Sequence, residues 1–594
     1  MAIACFAMSP AEGRGPTALL LTAAEARRFN KERPVADAVM TLSPRARAAL
    51  GEGAGARHLD EPLSDWAHAR ITARAHRAVE QFAAALDSLI PLRPGTRHAL
   101  RSNFLVHAYL AARVWETLRC PGPWLLPAAQ GWDLIHDRET AHQRLVDHLN
   151  PYHDHDRPPP WPGLYRLLRR LVLRLLRRRG PWLLSRRPSL VFGLDELIEA
   201  EAPELRRLVV AVTGQGLREY HNLASALKSG LLGRNASRIA LTGRGEARHR
   251  HAVHTALDRQ SDPVIASGLT PKSRAMLAEL GANCEALFAD ALDFLKAAAP
   301  HCYVTRQDSG QYAVVADAAG VLGVPRYVVN YNTFPLQESV IASKVLREQF
   351  LLRMPEELSD SFAIWSPHMA ATARRVYGPA GLAHMRPMRL EPTNGSKPGP
   401  ANGLRRVLYA GNYAEFANFV PWIMETSNEF LRAVLAVVER VEKLPDVDLT
   451  IRVKPKGECP PDTLRKFIRE NGRLHVTGTK QPYSQAVADA DLVISFSSTT
   501  IEEAIRRRTP VLLWGPVRRY RHLPARATPP TANSRAAVYS VADADELCPM
   551  ITAILDAHAG HPLTDQEIAD HVWPEGTPGV PEIARLIAQG ARSQ

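Results

Sequence analysis

Residues 490–515, ADLVISFSSTTIEEAIRRRTPVLLWG, decide the fold. Residues 492–496 are a short apolar, β-branched run of the kind that makes a parallel strand buried on both faces. Ser497, Ser498, Thr499 and Thr500 follow, and 501–508 reads as a short helix. Thr499 and Glu502 stand at capping-box spacing, which marks the helix start. Pro510 stops the helix, and 511–514 supplies the next strand. About a dozen residues separate the two strands, enough for a right-handed crossover and too many for a hairpin. The hydroxyl cluster is thereby expected at the carboxyl end of a strand and the amino end of a helix. Unpaired backbone N–H groups and the helix dipole favour a phosphate there. Such a crevice belongs to a doubly wound sheet.

Three more loops are expected at the same sheet edge: Gly411-Asn412, Lys454-Pro455-Lys456-Gly457 and 477–481. Together they offer backbone donors, hydroxyls and Lys454, a set suited to a nucleotide mono- or diphosphate. Glu502 or Glu503 could accept from ribose hydroxyls. Helix capping alone is the simpler account of the serines, and of Glu502 as well.

The chain has 594 residues, too many for one core, so two large domains with insertions are expected. Its apolar content of 45% is that of a globular protein. No run approaches the roughly 18 apolar residues of a spanning helix. The amino terminus lacks the basic start and apolar core of a signal peptide, so none is expected. Six scattered cysteines without a CxxC pair fit a reducing compartment and argue against a zinc ribbon. The net charge of +13 favours nucleic acid, anionic membrane or phosphorylated ligands without choosing among them.

Residues 17–140 read as the first half of an α/β domain, with strands at 17–22, 38–43 and 124–127 and helices at 71–89 and 103–118. Residues 205–380 resume the alternation, with strands at 208–213, 238–242, 264–267, 302–305 and 327–330 and a helix at 312–322. The loop 306–311 again joins a strand to a helix. On it, Asp308 could act as general base toward an acceptor hydroxyl, or could cap the helix. His221 is a rival base, Arg306 could steady a leaving phosphate, and Gln311 faces the same cleft. Residues 386–403, rich in Pro, Gly and Ser, form a linker.

Residues 150–194 interrupt the pattern. In 164–178, Arg166, Arg169, Arg170, Arg174, Arg177 and Arg178 fall on one helical face. Leu164, Leu167, Leu168, Leu171, Val172, Leu175 and Leu176 fall on the other. No acid stands among these arginines, which suits a helix lying in an anionic membrane surface. An insertion helix packed on the domain with a solvated arginine face is the alternative. His249, His251 and His254, and Asp154-His155-Asp156, lack the context of a metal site, and no metal is expected. Gly214-Gln215-Gly216 and Gly243-Arg244-Gly245 lack the rest of a dinucleotide fingerprint.

The layout resembles a GT-B glycosyltransferase, with two Rossmann-like domains facing a cleft. More narrowly it is similar to bacterial capsular and surface-polysaccharide transferases and their polyol-phosphate transferase relatives. Lys454-Pro455, then Ser497-Ser498-Thr499 followed by Glu502, match that group's His-Pro and Ser-Ser strand ends. CYVTRQDSGQYAVVADAAGVLGVPRYVVN, from Cys302, matches the close of its amino-terminal domain. Lysine stands where the group has histidine, so the donor nucleotide stays open.

The resemblance implies an amino-terminal acceptor domain over 1–385 carrying the 150–194 basic insertion, the linker, and a nucleotide-sugar-binding domain over 404–594. It implies a metal-independent glycosyltransferase that takes a nucleotide-sugar as substrate and uses no cofactor. The acceptor would be a lipid-linked or oligosaccharide chain, and the enzyme would sit on the cytoplasmic face of the inner membrane. Alternatives are a CDP-polyol phosphotransferase, a nucleotide-sugar epimerase and a non-catalytic export scaffold. Nucleic acid is not an expected partner, because the arginine face has no aromatic stacking surface.

Overall fold

The computed structural model describes residues 15–51, 55–59, 61, 63–119, 122–149, 190–192, 209–210, 236–237, 246–300, 302–305, 310–330, 336–337, 356–381, 385–389, 403–411, 425–453, 459–478, 483–498, 500–515, 520–531, 533–583 and 585. The basic segment 164–178 and most of the linker 386–403 lie outside the described residues.

Among the described residues three larger sheets, mixed or parallel, organise the chain, and a two-stranded one joins two of its units. The carboxy-terminal sheet runs Leu474–Thr477, Val447–Arg452, Arg405–Ala410, Leu492–Ser495, Val511–Leu513, Val538–Ser540, every pair parallel. By chain order this is 3-2-1-4-5-6, the doubly wound arrangement. Alternate residues serve opposite faces. Val407 and Tyr409 pack under the helices Ser427–Val441 and Leu547–Ala557, while Leu408 and Ala410 face the helix Thr500–Arg506.

The middle sheet places Ala236–Ser237, Val209–Val210, Leu190–Phe192, Tyr303–Thr305, Arg326–Asn330, Ser361–Ile364 and Met385–Pro387 side by side, again all parallel. Its order reverses between Leu190–Phe192 and Tyr303–Thr305. Residues 306–309, which follow the second of these strands in sequence, lie outside the described residues.

The amino-terminal region departs from the sequence expectation. Residues 17–135 do not add strands to the middle sheet but form a separate one. Its order is Arg57–His58, Ala38–Thr41, Thr17–Leu20, Trp124–Pro127, Trp132–Ile135, with the last pair antiparallel. The reason lies in the helices Asp65–Leu89 and Pro94–Thr117. Buried residues lie around much of the second helix, so it needs neighbours on several sides. It shares a core with the helices Pro271–Ala298 and Gln311–Val321 of the middle unit. The first unit thus joins the middle one through a common helical layer.

The strand expected at 264–267 is a helix in the structure, Pro263–Gly268. The Asp262 carboxylate accepts from Val264 N and Ile265 N at 3.0 and 3.3 Å, and Pro263 opens the helix. This cap outweighs the β-branched pair.

Two crossings tie the middle and carboxy-terminal units. Leu336–Gln337 pairs antiparallel with Tyr520–Arg521. The end of the chain also returns to the middle sheet. Arg389 N donates to Pro578 O at 2.8 Å, Trp573 Nε1 donates to Ile364 O at 2.8 Å, and Val580 and Ile583 join the core of Val304, Val328 and Phe362.

Candidate functional site

The carboxy-terminal sheet reverses its order between Arg405–Ala410 and Leu492–Ser495, where Val407 lies opposite Leu492 and Tyr409 opposite Ile494. The Ser495 hydroxyl donates to Ala410 O at 2.8 Å and closes the two strand ends together. Gly411 continues from the first strand, its N–H donating to Arg452 O at 3.0 Å. A Cβ there would stand 2.7 Å from the Phe430 ring and 3.0 Å from Val453, so glycine lets the backbone lie close to the sheet. Gly515 plays the same part after the next strand, where any side chain would run into the Phe496 ring.

Beyond Ser495 the chain builds a buried relay. Ser497 Oγ lies 3.3 Å from His522 Nδ1, and His522 Nε2 lies 2.8 Å from Glu502 Oε1. Glu502 and His522 are each 3% exposed. A buried carboxylate beside the imidazole fixes the tautomer: Nε2–H donates to Glu502, and Nδ1 accepts from the Ser497 hydroxyl. The capping box expected between Thr499 and Glu502 rests on Thr499, which lies outside the described residues; the Glu502 carboxylate turns to His522. Ser498 Oγ accepts from Thr500 N at 3.3 Å. Glu502 Oε2 is buried and accepts no hydrogen bond among the described residues.

His522 owes its position to the crossing between units, since it directly follows Tyr520–Arg521, the strand paired with Leu336–Gln337. His368, on the middle-unit helix Pro367–Gly381, reaches the same place, and its N–H donates to Asp570 O at 3.2 Å. Burial first, and then the charges of His571 and His522, push the His368 imidazole down to about 4. Burial likewise lowers His571. His368 Nε2 and His571 Nδ1 are buried atoms without a hydrogen-bond partner. The junction therefore gathers three imidazoles about the Glu502 carboxylate, with the Asp570 carboxylate acting on His571 as well.

On the neighbouring strand end, the Arg452 guanidinium lies over the Tyr483 ring, 5.3 Å from its centroid. The Tyr483 hydroxyl donates to Thr500 O at 3.0 Å. Burial lowers Arg452 and raises the Glu503 carboxyl. A cation is thus held at the carboxyl edge, two residues before Lys454.

Of the residues singled out in the sequence, Gly411, Ser497, Ser498 and Glu502 come together at this switch point. Asn412, Lys454, Thr499, Arg306, Asp308 and His221 lie outside the described residues. Gln311 opens the helix Gln311–Val321 after Gly310. Sequence reasoning missed His522, His368 and Arg452. Arg452 carried a signal, because it shares strand parity with Lys454. The histidines carried none, since each enters the site through a contact between units. Among the described residues no cluster of His, Cys, Asp or Glu could hold a metal ion, and no helix is long and apolar enough to cross a membrane.

No protein-family model and no curated protein sequence matches the chain. Solved structures similar to it include a UDP-GlcNAc 2-epimerase from Neisseria meningitidis bound to UDP-GlcNAc. That match has 10% identity over 69% of this chain and 100% of the other, with a TM-score of 0.38. An Anabaena protein, HepE, in complex with UDP and glucose shows 12% identity over 69% and 100%, at 0.37. The spinosyn rhamnosyltransferase SpnG shows 16% over 67% and 99%, at 0.35. Likenesses this loose assign neither family, substrate nor catalytic residue to the chain.

Proposed function

We propose that the chain is a metal-independent GT-B-type glycosyltransferase that moves a sugar from a nucleotide-activated donor to a lipid-linked surface-polysaccharide acceptor. The observation that carries this reading is the hydroxyl-bearing loop at the switch point of a 3-2-1-4-5-6 parallel sheet, where such sheets bind nucleotides. Gly411 leaves room for a ligand close to the backbone. Ser498, Thr499 and Asn412 offer hydrogen bonds to the donor phosphates, and Lys454 and Arg452 offer charge to the departing nucleotide. Glu502 holds His522, and His522 orients the Ser497 hydroxyl. The second oxygen of Glu502 is a buried acceptor in need of a donor, which a ribose hydroxyl would supply. Asp308 or His221, with Arg306 and Gln311, would serve the acceptor from the middle unit, whose own switch point opens at Thr305. The arginine face of 164–178 would hold the enzyme against anionic lipid on the cytoplasmic side.

A nucleotide-sugar epimerase is the second reading, favoured by the three imidazoles and the carboxylate gathered at the junction. Acid–base groups in one buried place suit proton transfer at a sugar carbon. Such an enzyme would convert its substrate with no acceptor present.

The test is calorimetric titration of the purified protein with UDP, GDP, CDP and CMP. Saturable binding of one nucleotide, lost in Lys454→Ala and Ser498→Ala, is the expected outcome and names the donor class. Binding of none by a folded sample would sink the donor site and leave the export scaffold as the better reading. Incubation of the matching sugar nucleotide with and without acceptor then separates transfer from epimerisation.

A further inference from the structure

A pocket of about 210 Å³ lies far from the switch point in sequence, between the helices Asp65–Leu89 and Pro94–Thr117. Arg70, Arg74, Arg77 and Arg119 line it, around Ile71 and the small side chains of Ala73 and Ala112. Positions 70, 74 and 77 share one helical face, so three like charges stand a turn apart and repel one another. Two carboxylates answer four guanidinium groups. Glu116, 6% exposed, lies 3.3 Å from Arg70 and 2.9 Å from Arg119, while Asp262 lies 3.0 Å from Arg74. Both acids grip the guanidinium groups of the wall and fix their orientation, and Arg77 has no acidic partner among the described residues. Two positive charges are left over, on rigid helices, around a concavity floored by small and apolar side chains.

Guanidinium forks match phosphate oxygens two at a time, which neither a carboxylate-poor surface nor bulk water does as well. We propose that this pocket is a binding site for a phosphate or pyrophosphate group, with Arg77 and Arg74 as the principal donors and Glu116 as the residue that positions Arg70 and Arg119. The volume fits a phosphate-bearing head and excludes most of a nucleotide. The group could belong to a free phosphorylated small molecule or to a lipid headgroup, and the same forks would serve either. The proposal does not rest on the transferase reading.

Calorimetry of the full-length protein with inorganic pyrophosphate at low salt tests it, beside sedimentation with vesicles of phosphatidylglycerol and of phosphatidylcholine. Arg77→Ala, at an exposed helical position, keeps helix propensity and so should leave folding intact. Pyrophosphate or phosphatidylglycerol binding should weaken at least tenfold in Arg77→Ala and further in Arg74→Gln/Arg77→Ala, both in the parent chain and in a Ser498→Ala background that removes the switch-point phosphate site. Heat with pyrophosphate identifies a free ligand, whereas binding only to phosphatidylglycerol identifies a headgroup, and either supports the site. Binding that survives the double variant, or is lost only in Ser498→Ala, overturns it. So does the absence of binding to either probe by a folded sample. Failure here leaves nucleotide binding at the switch point untouched, so the two results are read separately.

Discussion

Two buried histidines, one in the amino-terminal region and one at the junction, separate structural from functional design. His142 Nε2 donates to Ala111 O at 2.8 Å, its Nδ1 lies 3.1 Å from Ser267 Oγ, and its ring meets Trp115 edge-on. His368 is also buried, yet its Nε2 has no hydrogen-bond partner among the described residues. Burial is the largest cause of a pKa near 4 for both imidazoles. Only the second keeps an unmet polar group, beside others on Glu502 and His571. A histidine that finishes its bonds within the fold serves packing. One that leaves a buried atom unmet beside a carboxylate and two further imidazoles marks a place prepared for something else.

Acid should produce the largest effect. Each imidazole takes its proton near its ordinary 6.5 in the unfolded chain and only near 4 in the folded one. The unfolded state therefore binds the extra proton between those values, and the stability present above pH 6.5 is lost as pH falls toward 4. The loss should be on the order of 3 kcal/mol for each histidine. Urea denaturation across pH 4 to 8 measures it, and His142→Gln or His368→Gln should each flatten the slope. An unchanged slope in either variant would remove that histidine from the comparison.

Glu502→Gln comes next. It keeps the side-chain shape but weakens the hold on His522, so kcat/KM of the transfer should fall roughly 10²-fold with folding retained. Nucleotide titration and circular dichroism on the same sample would show whether chemistry or folding had been lost.

His142→Ala should behave in the opposite way. It strands the Ala111 carbonyl and should cost about 2 kcal/mol of stability with activity per folded molecule unchanged. A loss of activity without a loss of stability would erase the distinction between the two histidines. Gly411→Ala should have the smallest effect, about 1 kcal/mol as the Phe430 ring gives way. Its weight should fall on nucleotide affinity, read by the same titration.

Much of the carboxy-terminal sheet was legible in the sequence. LVIS is apolar and β-branched, RVLYA and LTIR are runs of the same kind, and Pro510 and Gly515 punctuate the crossover that follows LVIS. Local pattern sufficed there because Leu492–Ser495 and Val511–Leu513 are buried on both faces and the crossover between them is short. From it alone Gly411, Ser497, Ser498 and Glu502 fall at one sheet edge. The amino-terminal region was less legible. Helices Asp65–Leu89 and Pro94–Thr117 are amphipathic enough to be seen, but periodicity does not say which sheet a helix covers. Their sharing of one core between two sheets is a long-range choice, made by packing.

The sequence by itself determined the alternation of parallel strands and helices, the punctuation of the loops and the hydroxyl cluster, all of which are local properties of a chain. Tertiary structure alone decided that the Glu502 carboxylate would meet His522. That histidine arrives through the pairing of Tyr520–Arg521 with Leu336–Gln337, and His368 arrives where the chain end returns to the middle sheet. A carboxylate chooses its partner by distance and burial, and neither exists until distant segments have packed together.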